Sequence, residues 1–448
     1  MVPKSAFDPA QYGSFEYREA SYDAAAARFV GTYALVGDAG EIELSETIEL
    51  PAAARGAEVP GALVRLLHLA CGLSYYKAAA APRVVVRPGL TAAERALLEA
   101  LFRGGLGEFA YRNDLPGALR PAIEADAVES PAGAEEWSGG RPLVAVGGGK
   151  DSVVSIEATA RAGLEPLLFS VNQYAVIDAC VDASGLDVVR ARRTLDPRLR
   201  ELNEAGAHNG HVPVTAINSL VALMTAAALG LGPVVMSNEE SANHGNLEWR
   251  GATINHQWSK TLEFERLLRS TLAAEGLDAG RYFSLLRPFT ELEIAAAFAR
   301  LPQYFDVITS CNRAFTLDPR VRATGWCGEC SKCRFVFLML ATAMPRERVE
   351  QMIGRNPLGE AEALDEYREI VGLAGNKPFE CVGDVAEAES AVRQLAGDPA
   401  WADAATLAAL ASELPERPTP LAIGTDRAHL WEHLPPAYRA AVEELFDD

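Results

Sequence analysis

A glycine-rich turn carries the clearest chemistry in this sequence. Residues 143–146 form a short apolar run typical of a buried strand, and three consecutive glycines follow. Lys150 and Asp151 come next and open a stretch in which apolar residues recur with helical spacing. Glycine lets the backbone approach a ligand closely, and a helix start presents unpaired N–H groups and a positive dipole. The segment therefore predicts a phosphate-binding site.

The residues of this turn distinguish between phosphate loops. The pattern GxxxxGK(S/T) fails because Val144 replaces its first glycine, and GxGxxG fails because Ser152 replaces its last glycine. The turn instead resembles the SGGxDS loop of the PP-loop ATP pyrophosphatases, with glycine in place of the first serine. The matching residues are Gly147, Gly148, Gly149, Lys150, Asp151 and Ser152. The resemblance implies cleavage of ATP between its α and β phosphates and adenylation of a substrate oxygen.

A second candidate site is the polar stretch at residues 237–260. Its density of amides and imidazoles suits recognition of a polar substrate better than a core, where each group would need a buried partner. An exposed polar loop is the alternative. The predicted substrate-binding residues are Asn238, Asn243, Asn246, Trp249, His256, Gln257 and Trp258, with His208 and Asn209 from an earlier loop. The candidate catalytic acids and bases are His244, His211, Glu239 and Lys260.

Four cysteines indicate a metal site. Cys311 is followed, after fifteen residues, by WCGECSKC, which contributes Cys327, Cys330 and Cys333. This spacing matches tetrahedral Zn2+ ligation in a closed, structural site. It also resembles the four-cysteine zinc site of 7-cyano-7-deazaguanine synthase, another PP-loop enzyme. The alternative is a group of buried thiols without metal, with Cys311 free.

Composition limits the class of protein. The chain has 448 residues, 49% of them hydrophobic, which is enough for a large core and two or three domains. A formal charge of −20 opposes binding to nucleic acid. Residues 205–238 lack Asp, Glu, Lys and Arg, but their Pro, Gly and Asn residues predict a helix and a strand rather than a membrane span. Cysteine usage and the absence of an apolar signal segment predict a cytoplasmic protein.

The elements that position these residues follow from periodicity. Residues 14–50 alternate as an antiparallel meander, residues 61–73 and 91–109 are helical, and residues 83–86 form a strand. The cluster from Ser74 to Lys77 follows the first helix and is interpreted as a solvated helix end. From residue 143, helices alternate with strands at residues 143–147, 166–171, 187–191, 232–237 and 282–286.

This alternation predicts an α/β fold with a parallel sheet covered on both faces. Ligands gather beyond the carboxyl ends of such strands, which places Asn172 where PP-loop enzymes hold the adenosine. A linker at residues 127–141 separates an N-terminal α+β domain, residues 1–135, from the rest. The PP-loop domain spans residues 140–345, and a helical region spans residues 346–448. Residues 377–381 form a polar turn that could return to the site.

Longer motifs identify a family. GLSYYKA precedes the phosphate loop, and the motifs after it, in order, are LNEAGAHNGHVPVTAINS, MSNEESANHGNLEW, NHQWSK, YFSLLRP, SCNRAF, WCGECSKCRFVFL and KPFECVG. Together these motifs resemble the MurL family, the UDP-N-acetylmuramoyl-L-alanyl-L-glutamate epimerases of peptidoglycan synthesis. The resemblance implies an isomerase that uses ATP and Mg2+ to invert the terminal L-glutamate of a UDP-MurNAc-dipeptide, releasing AMP and diphosphate.

The reaction chemistry explains the need for ATP. An α-proton beside a carboxylate is very weakly acidic, and adenylation removes that obstacle by neutralising the carboxylate. We expect the loop and Lys150 to bind phosphates and Asp151 to hold Mg2+. One alternative is a PP-loop ligase that forms an amide or a nitrile. The other is a non-catalytic protein that binds nucleotide.

Overall fold

The computed structural model describes residues 7–87, 89–130, 139–316, 320, 322–416 and 427–447. The chain divides into two compact units built from interleaved segments. The first unit comprises Met1–Leu143, Val189–Val234 and Trp249–Tyr282, and the second comprises Val144–Val188, Val235–Glu248 and Phe283–Asp448. The three-part domain division expected from the sequence stays a prediction. Residues 131–138 of the expected linker lie outside the described residues.

Strands occur along the first two thirds of the chain. In chain order they are β1 (Ser14–Asp23), β2 (Arg28–Gly37), β3 (Gly40–Glu49), β4 (Arg83–Val86), β5 (Ala122–Glu124), β6 (Leu143–Ala145), β7 (Leu167–Val171), β8 (Val188–Leu195), β9 (Val234–Met236), β10 (Leu247–Trp249), β11 (Ala252–Ile254) and β12 (Tyr282–Ser284). The meander and all five strands expected after residue 143 are confirmed.

Helices occur throughout the chain, and in the described part of its last third no strand accompanies them. They are α1 (Gly61–Tyr76), α2 (Ala92–Ala100), α3 (Gly107–Asn113), α4 (Lys150–Arg161), α5 (Ala175–Ser184), α6 (Arg198–Ala205), α7 (Val214–Ala228), α8 (Leu262–Ala274), α9 (Glu291–Phe298), α10 (Ser331–Ala341), α11 (Arg346–Ile353), α12 (Leu364–Ile370), α13 (Val385–Ala396), α14 (Ala405–Glu413), α15 (Ala428–Trp431) and α16 (Pro436–Asp447). The structure therefore confirms the α/β fold class.

The first unit is built around an antiparallel meander. Its strands follow the order β8-β3-β2-β1-β4-β5, with β1, β2 and β3 antiparallel and β4 parallel to β1. Burial alternates along β3, where Leu44, Glu46 and Ile48 are buried and the residues between them are partly exposed, as in a sheet with one wet face. Strand β8 runs four residues beyond its expected end at residue 191, because residues 192–195 pair with β3.

Helix α1 differs from the expectation at its C-terminal end. It continues to Tyr76, and both Tyr75 and Tyr76 are completely buried. Lys77 follows and is only 8% exposed. The interpretation of residues 74–77 as a solvated helix end is therefore wrong, because α1 packs against α7 as well as β1.

The second unit contains the sheet order β12-β9-β6-β7. Helical segments connect these strands in the chain, as parallel pairing requires. Helix α4 follows β6 and packs against α9 and α16. Helix α10 lies in the core, and its residues 335–340 are completely buried.

Two further features are a segment that lacks Asp, Glu, Lys and Arg and a set of seven cysteines. The segment at residues 205–238 forms α7 and β9, as expected. Among the described residues, none of the helices is both long and apolar enough to cross a bilayer. All seven cysteines are described, and none of them forms a disulfide.

Candidate active site

The phosphate loop lies in the second unit, between the end of β6 and the start of α4. Gly148 has a φ of +80°, a conformation that favours glycine, and its carbonyl accepts a hydrogen bond of 2.9 Å from the Thr309 N–H. Gly149 is the N-cap of α4, and no side chain caps the helix there. The first N–H groups of α4 therefore lack a side-chain acceptor, as an anion site requires.

Lys150 is the most buried charged group of the loop. Its side chain is 1% exposed, and its Nζ forms ion pairs with Asp151 and with Glu291 at the start of α9. Burial lowers the pKa of Lys150, but the two carboxylates outweigh it and raise the pKa well above its usual range. Lys150 is thus a permanent cation that fixes the two carboxylates.

Two glutamates complete this cluster and were not found from the sequence. Glu387 accepts a hydrogen bond of 2.6 Å from the Glu291 N–H. Burial and the neighbouring charge of Glu291 raise the pKa of Glu387 to about 8. The signals in the sequence were two helix starts with capping boxes, Thr290 with Glu293 at α9 and Asp384 with Glu387 at α13.

The carboxylate oxygens of this cluster suit a hard cation. Asp151 is partly exposed at the mouth of the loop, whereas Glu291 is buried behind it. Mg2+ takes oxygen ligands from one or two carboxylates and completes its shell with water and phosphate. The donor set therefore fits the expected Mg2+, with Asp151 as the accessible ligand.

The polar stretch after β9 also lies in the second unit up to residue 248. His244 contacts Asp384 through Nδ1 at 3.1 Å and Glu240 through Nε2 at 3.2 Å. Hydrogen bonds to these carboxylates, Asp384 first, raise the pKa of His244 to about 10. Lys377 donates to the His244 carbonyl at 3.1 Å, so the polar turn at residues 377–381 does return to this stretch.

Other predicted residues of the second unit have mainly structural contacts. Asn238 donates to Ser284 Oγ at 2.9 Å, and Asn246 donates to the Pro378 carbonyl at 2.7 Å. Asn243 donates to the Glu240 carbonyl at 2.8 Å. The remaining two are Glu239, which is buried, and Asn172, which follows β7 with a φ of +63°.

The four cysteines come together in the second unit. The sulfur atoms of Cys311, Cys327, Cys330 and Cys333 all lie within 4.8 Å of one another. Cys333 Sγ lies 3.7 Å from Cys327 Sγ and 3.5 Å from Cys330 Sγ. Tetrahedral Zn2+ with Zn–S bonds of about 2.3 Å requires nearly this separation. The cluster therefore fits zinc.

A separate polar cluster lies in the first unit. Its members are Glu108 on α3, His211 before α7 and His256 after β11. His256 Nδ1 hydrogen-bonds Glu108 Oε2, His211 Nδ1 lies 3.8 Å from the same oxygen, and the two imidazole rings are 4.4 Å apart. Arg112 donates to Glu108 Oε1 at 2.6 Å. Residues from three distant parts of the chain thus meet around the Glu108 carboxylate.

The protonation states of this cluster differ between its members. Burial, together with His256, lowers the pKa of His211 to about 3, so its imidazole is neutral. Burial raises the pKa of Glu108, but the hydrogen bond from His256 and nearby charges lower it overall. Lys77, which lies close enough to contribute to the His211 shift, has its own pKa lowered to about 8 by burial and by Arg193.

The remaining predicted residues also belong to the first unit. Trp258 packs so closely on Gly104 that a Cβ there would lie 2.3 Å from its ring. Trp249 contacts Tyr111 edge to face at 5.8 Å. The others are His208, which is half-buried, Asn209, which accepts from Lys77, Gln257, which is buried, and Lys260, which is half-buried. The predicted substrate residues therefore fall in both units.

The domain content of the chain decides its family. Residues 6–285 match the MurL N-terminal domain, and residues 307–423 match the MurL C-terminal domain. The chain belongs to the MurL family. The phosphate loop and the cluster of Glu108, His211 and His256 lie within the N-terminal match, and the four cysteines lie within the C-terminal match.

Similar MurL proteins carry a common name. A Micromonospora protein is 48% identical over 443 residues, covering 96% of this chain and 98% of its own. A Salinispora tropica protein is 48% identical over 410 residues, covering 90% of this chain and 89% of its own. A Xanthomonas oryzae pv. oryzae protein is 40% identical over 414 residues, covering 90% of both chains. All three are named UDP-N-acetyl-alpha-D-muramoyl-L-alanyl-L-glutamate epimerase.

Proposed function

We propose that this chain is an ATP-dependent epimerase of peptidoglycan precursor synthesis. It inverts the terminal L-glutamate of UDP-MurNAc-L-Ala-L-Glu to D-glutamate and releases AMP and diphosphate. The observation that carries the proposal is the uncapped glycine loop with its Lys150–Asp151–Glu291 cluster, in a chain whose relatives are named for this epimerisation. The loop supplies the activation that the inversion requires.

ATP binds at the phosphate loop in this proposal. The N–H groups at the start of α4 receive the β and γ phosphates, and Asp151 holds Mg2+. Lys150 is buried between two carboxylates, so it acts mainly by holding Asp151 and Glu291 and by adding positive charge beneath the phosphates. Asn172, at the carboxyl end of β7, is the candidate contact to the adenosine.

Transfer of AMP to the glutamate carboxylate makes the α-proton removable. The acyl group then accepts the electron pair that the departing proton leaves on the α-carbon. Because the glutamate nitrogen is acylated by alanine, the activated carboxyl could also close to an oxazolone, whose α-proton is readily lost. Reprotonation from the opposite face and hydrolysis complete the reaction.

The candidate acids and bases divide by charge. The contacts of His244 with Asp384 and Glu240 favour an imidazolium, which can donate a proton or bind a substrate carboxylate but cannot accept a proton. His211 is neutral, so one of its ring nitrogens is free to accept a proton. Glu239 and Lys260 stay as further candidates. Replacing His244 and His211 singly and following α-proton exchange with deuterated solvent tests this division.

The substrate offers many polar groups, and the polar side chains predicted from the sequence are its candidate contacts. In the second unit these include Asn243 and Asn246, and in the first unit His208, Asn209, His256 and Gln257. Alanine at Asn243 or Asn209 should raise KM for the dipeptide substrate more than KM for ATP. Equal effects on both KM values would argue against direct contact.

We also propose that the four cysteines bind one structural Zn2+. Thr309 N–H donates to the loop at Gly148, and Cys311 lies two residues further along the chain, so the metal would fix the segment that supports the loop. Cys333→Ser should lose bound zinc by elemental analysis and lower the melting temperature. Cys71→Ala, a buried cysteine in the first unit, is the matched control. Zinc retained at one per chain in Cys333→Ser would exclude this site.

The decisive experiment measures inversion and ATP cleavage together. The purified protein is incubated with ATP, Mg2+ and UDP-MurNAc-L-Ala-L-Glu, and the products are analysed for D-glutamate after hydrolysis and for AMP. Both products are expected without any nitrogen donor. AMP that appears only with an amine or ammonia would indicate a ligase, and ATP binding without either product would indicate a nucleotide-binding protein.

A further inference from the structure

Lys77 is a buried lysine whose amine has no acidic partner. Its Nζ donates to Asn209 Oδ1 at 2.6 Å and to the Gly210 carbonyl at 3.0 Å, both of which are neutral acceptors. Within the described residues, no carboxylate lies within ion-pair distance of it. A buried cation without a counter-charge is costly, so structures rarely keep one without a reason.

The contacts of Lys77 hold it against the two residues that precede His211. Asn209 and Gly210 are the residues directly before His211, and both of them bind the amine. Asn113 also donates to the Asn209 carbonyl at 3.2 Å, which fixes the turn from a second side. The segment of residues 209–211 therefore fixes the position of the Lys77 amine relative to the His211 residue.

Glu108 and His256 also lie close to the His211 imidazole. The Glu108 carboxylate lies 3.8 Å from His211 Nδ1 and is itself held by Arg112 and His256. A carboxylate in this position stabilises the imidazolium that forms when His211 accepts a proton. Glu108 is thus a positioning residue.

We propose that Lys77 and His211 are the two proton-transfer groups of the epimerisation. This inference rests on the proposed function and adds the residues that exchange the α-proton. The substrate class is an amino acid whose carboxyl group is activated and whose nitrogen is acylated. Lys77 and His211 come from the motifs GLSYYKA and AHNGH, which lie far apart in the chain.

Each group has one role in each direction. With the L-substrate, the neutral imidazole of His211 takes the α-proton, so the C–H bond breaks, an N–H bond forms and the electron pair moves into the activated acyl group. The Lys77 ammonium then gives a proton to the opposite face and becomes an amine. With the D-substrate, the Lys77 amine takes the α-proton and the His211 imidazolium returns one. Proton exchange with water resets both groups.

The resting charges fit this assignment. The pKa of His211 is lowered to about 3 and that of Lys77 to about 8, so a neutral imidazole and an ammonium coexist at neutral pH. Glu108, His211 and His256 also have the spacing of a metal site. The adjacent Arg112 and Lys77 cations disfavour a divalent ion there.

Exchange of the α-proton in deuterated water separates the two roles. Lys77→Met and His211→Asn are each incubated with ATP, Mg2+ and either the L- or the D-glutamyl substrate. Both variants should lose inversion by about 100-fold or more. Lys77→Met should still exchange the α-proton of the L-substrate only, and His211→Asn that of the D-substrate only. Exchange of both isomers, or of the same isomer, in the two variants would overturn the assignment.

Controls separate this test from folding and from the proposed function. Diphosphate–ATP exchange, which reports adenylation, should persist in both variants. If Lys77→Met loses diphosphate–ATP exchange, the test is whether added propylamine restores inversion in Lys77→Ala. Failure of propylamine to restore inversion would overturn the assignment. His68→Gln is the control, because His68 is a buried neutral histidine of the same unit whose ring contacts the Thr32 carbonyl at 3.2 Å. This variant should keep inversion. If the wild-type protein forms neither AMP nor D-glutamate, the proposed function itself is refuted.

Discussion

At the residue scale, the clearest feature is a lysine whose charge is balanced inside the protein. Lys150 is 1% exposed and is shared between Asp151 and Glu291. Removing one member of such a group leaves the others as uncompensated buried charges, which costs more than the pair itself contributes. Lys150 therefore matters to the fold as well as to the proposed ATP site.

Lys150→Met should destabilise the protein by about 3 to 5 kcal/mol, because it leaves two carboxylates unbalanced. Diphosphate–ATP exchange should fall by about 100-fold or more. Urea unfolding and the exchange assay measure the two effects. Adding Glu291→Gln removes one of the unbalanced charges, so the double variant should regain part of the stability but not the exchange. A double variant less stable than Lys150→Met would contradict this account.

His244 predicts a pH-dependent contribution to stability. Its pKa rises from 6.5 to about 10 on folding, first through Asp384 and then through Glu240. A raised folded-state pKa gives stability that is fully present below pH 6.5 and is lost as the pH rises through about 10. Since the side chain is 41% exposed, solvent screens part of the effect.

The difference in unfolding free energy between the wild type and His244→Asn measures this contribution. It should favour the wild type most at pH 6 and shrink steadily toward pH 10. His208→Asn is the control, because burial lowers the pKa of His208 and its contribution should not decline in this way. A wild-type advantage that is constant with pH would show that the contacts of His244 with the two carboxylates carry no charge.

At the element scale, the phosphate loop depends on close packing with the segment before Cys311. Gly149 leaves so little room that a Cβ would lie 2.4 Å from Ser310 Oγ. Thr309, beside it, binds the loop backbone. The turn between β6 and α4 is therefore shaped by a segment about 160 residues further along the chain.

Gly149→Ala should displace either the loop or Ser310 and cost about 1 to 3 kcal/mol of stability. Diphosphate–ATP exchange should fall at least 10-fold, because the N–H groups of α4 move with the loop. Adding Ser310→Ala removes the atom in conflict, and the next neighbour, Ser310 Cβ, lies 3.6 Å away, an ordinary contact. The double variant should therefore recover much of the exchange. Equal exchange in the single and double variants would show that the clash is not the cause.

At the scale of the whole molecule, the C-terminal helix packs against the helix that follows the phosphate loop. Helix α16 packs against α4, and its Tyr438 contacts Phe283 at a ring distance of 4.8 Å. Phe446 stacks on Phe289 at 3.6 Å. The tail thus belongs to the core of the second unit, although its sequence carries no chemical signal.

Tyr438→Ala should destabilise the protein by about 3 kcal/mol, because a nearly buried ring is lost from this core. Glu443→Ala, on the exposed face of the same helix, should change stability by less than about 0.5 kcal/mol. Urea unfolding compares the two variants. The midpoint temperature for loss of diphosphate–ATP exchange should fall with Tyr438→Ala alone. Similar stabilities for both variants would show that α16 does not support α4.

Most of the fold could be predicted because its signals are local. The meander, the strand at residues 83–86 and the strands after residue 143 follow from alternation, apolar runs and glycine punctuation. The extension of β8 to Leu195 could not be predicted, since it depends on pairing with β3. The burial of Tyr75 and Tyr76 likewise depends on the elements packed around α1.

The sequence by itself determined the phosphate loop, the four-cysteine cluster and the family, because each consists of short motifs in a fixed order along the chain. Only the tertiary structure decided the charge and partners of the candidate acids and bases. Three pairs of contacting residues are far apart in the chain: Glu291 and Lys150, Asp384 and His244, and Lys77 and Asn209. A side chain's pKa depends on burial and on the charges that surround it in space, and spacing along the chain does not reveal either.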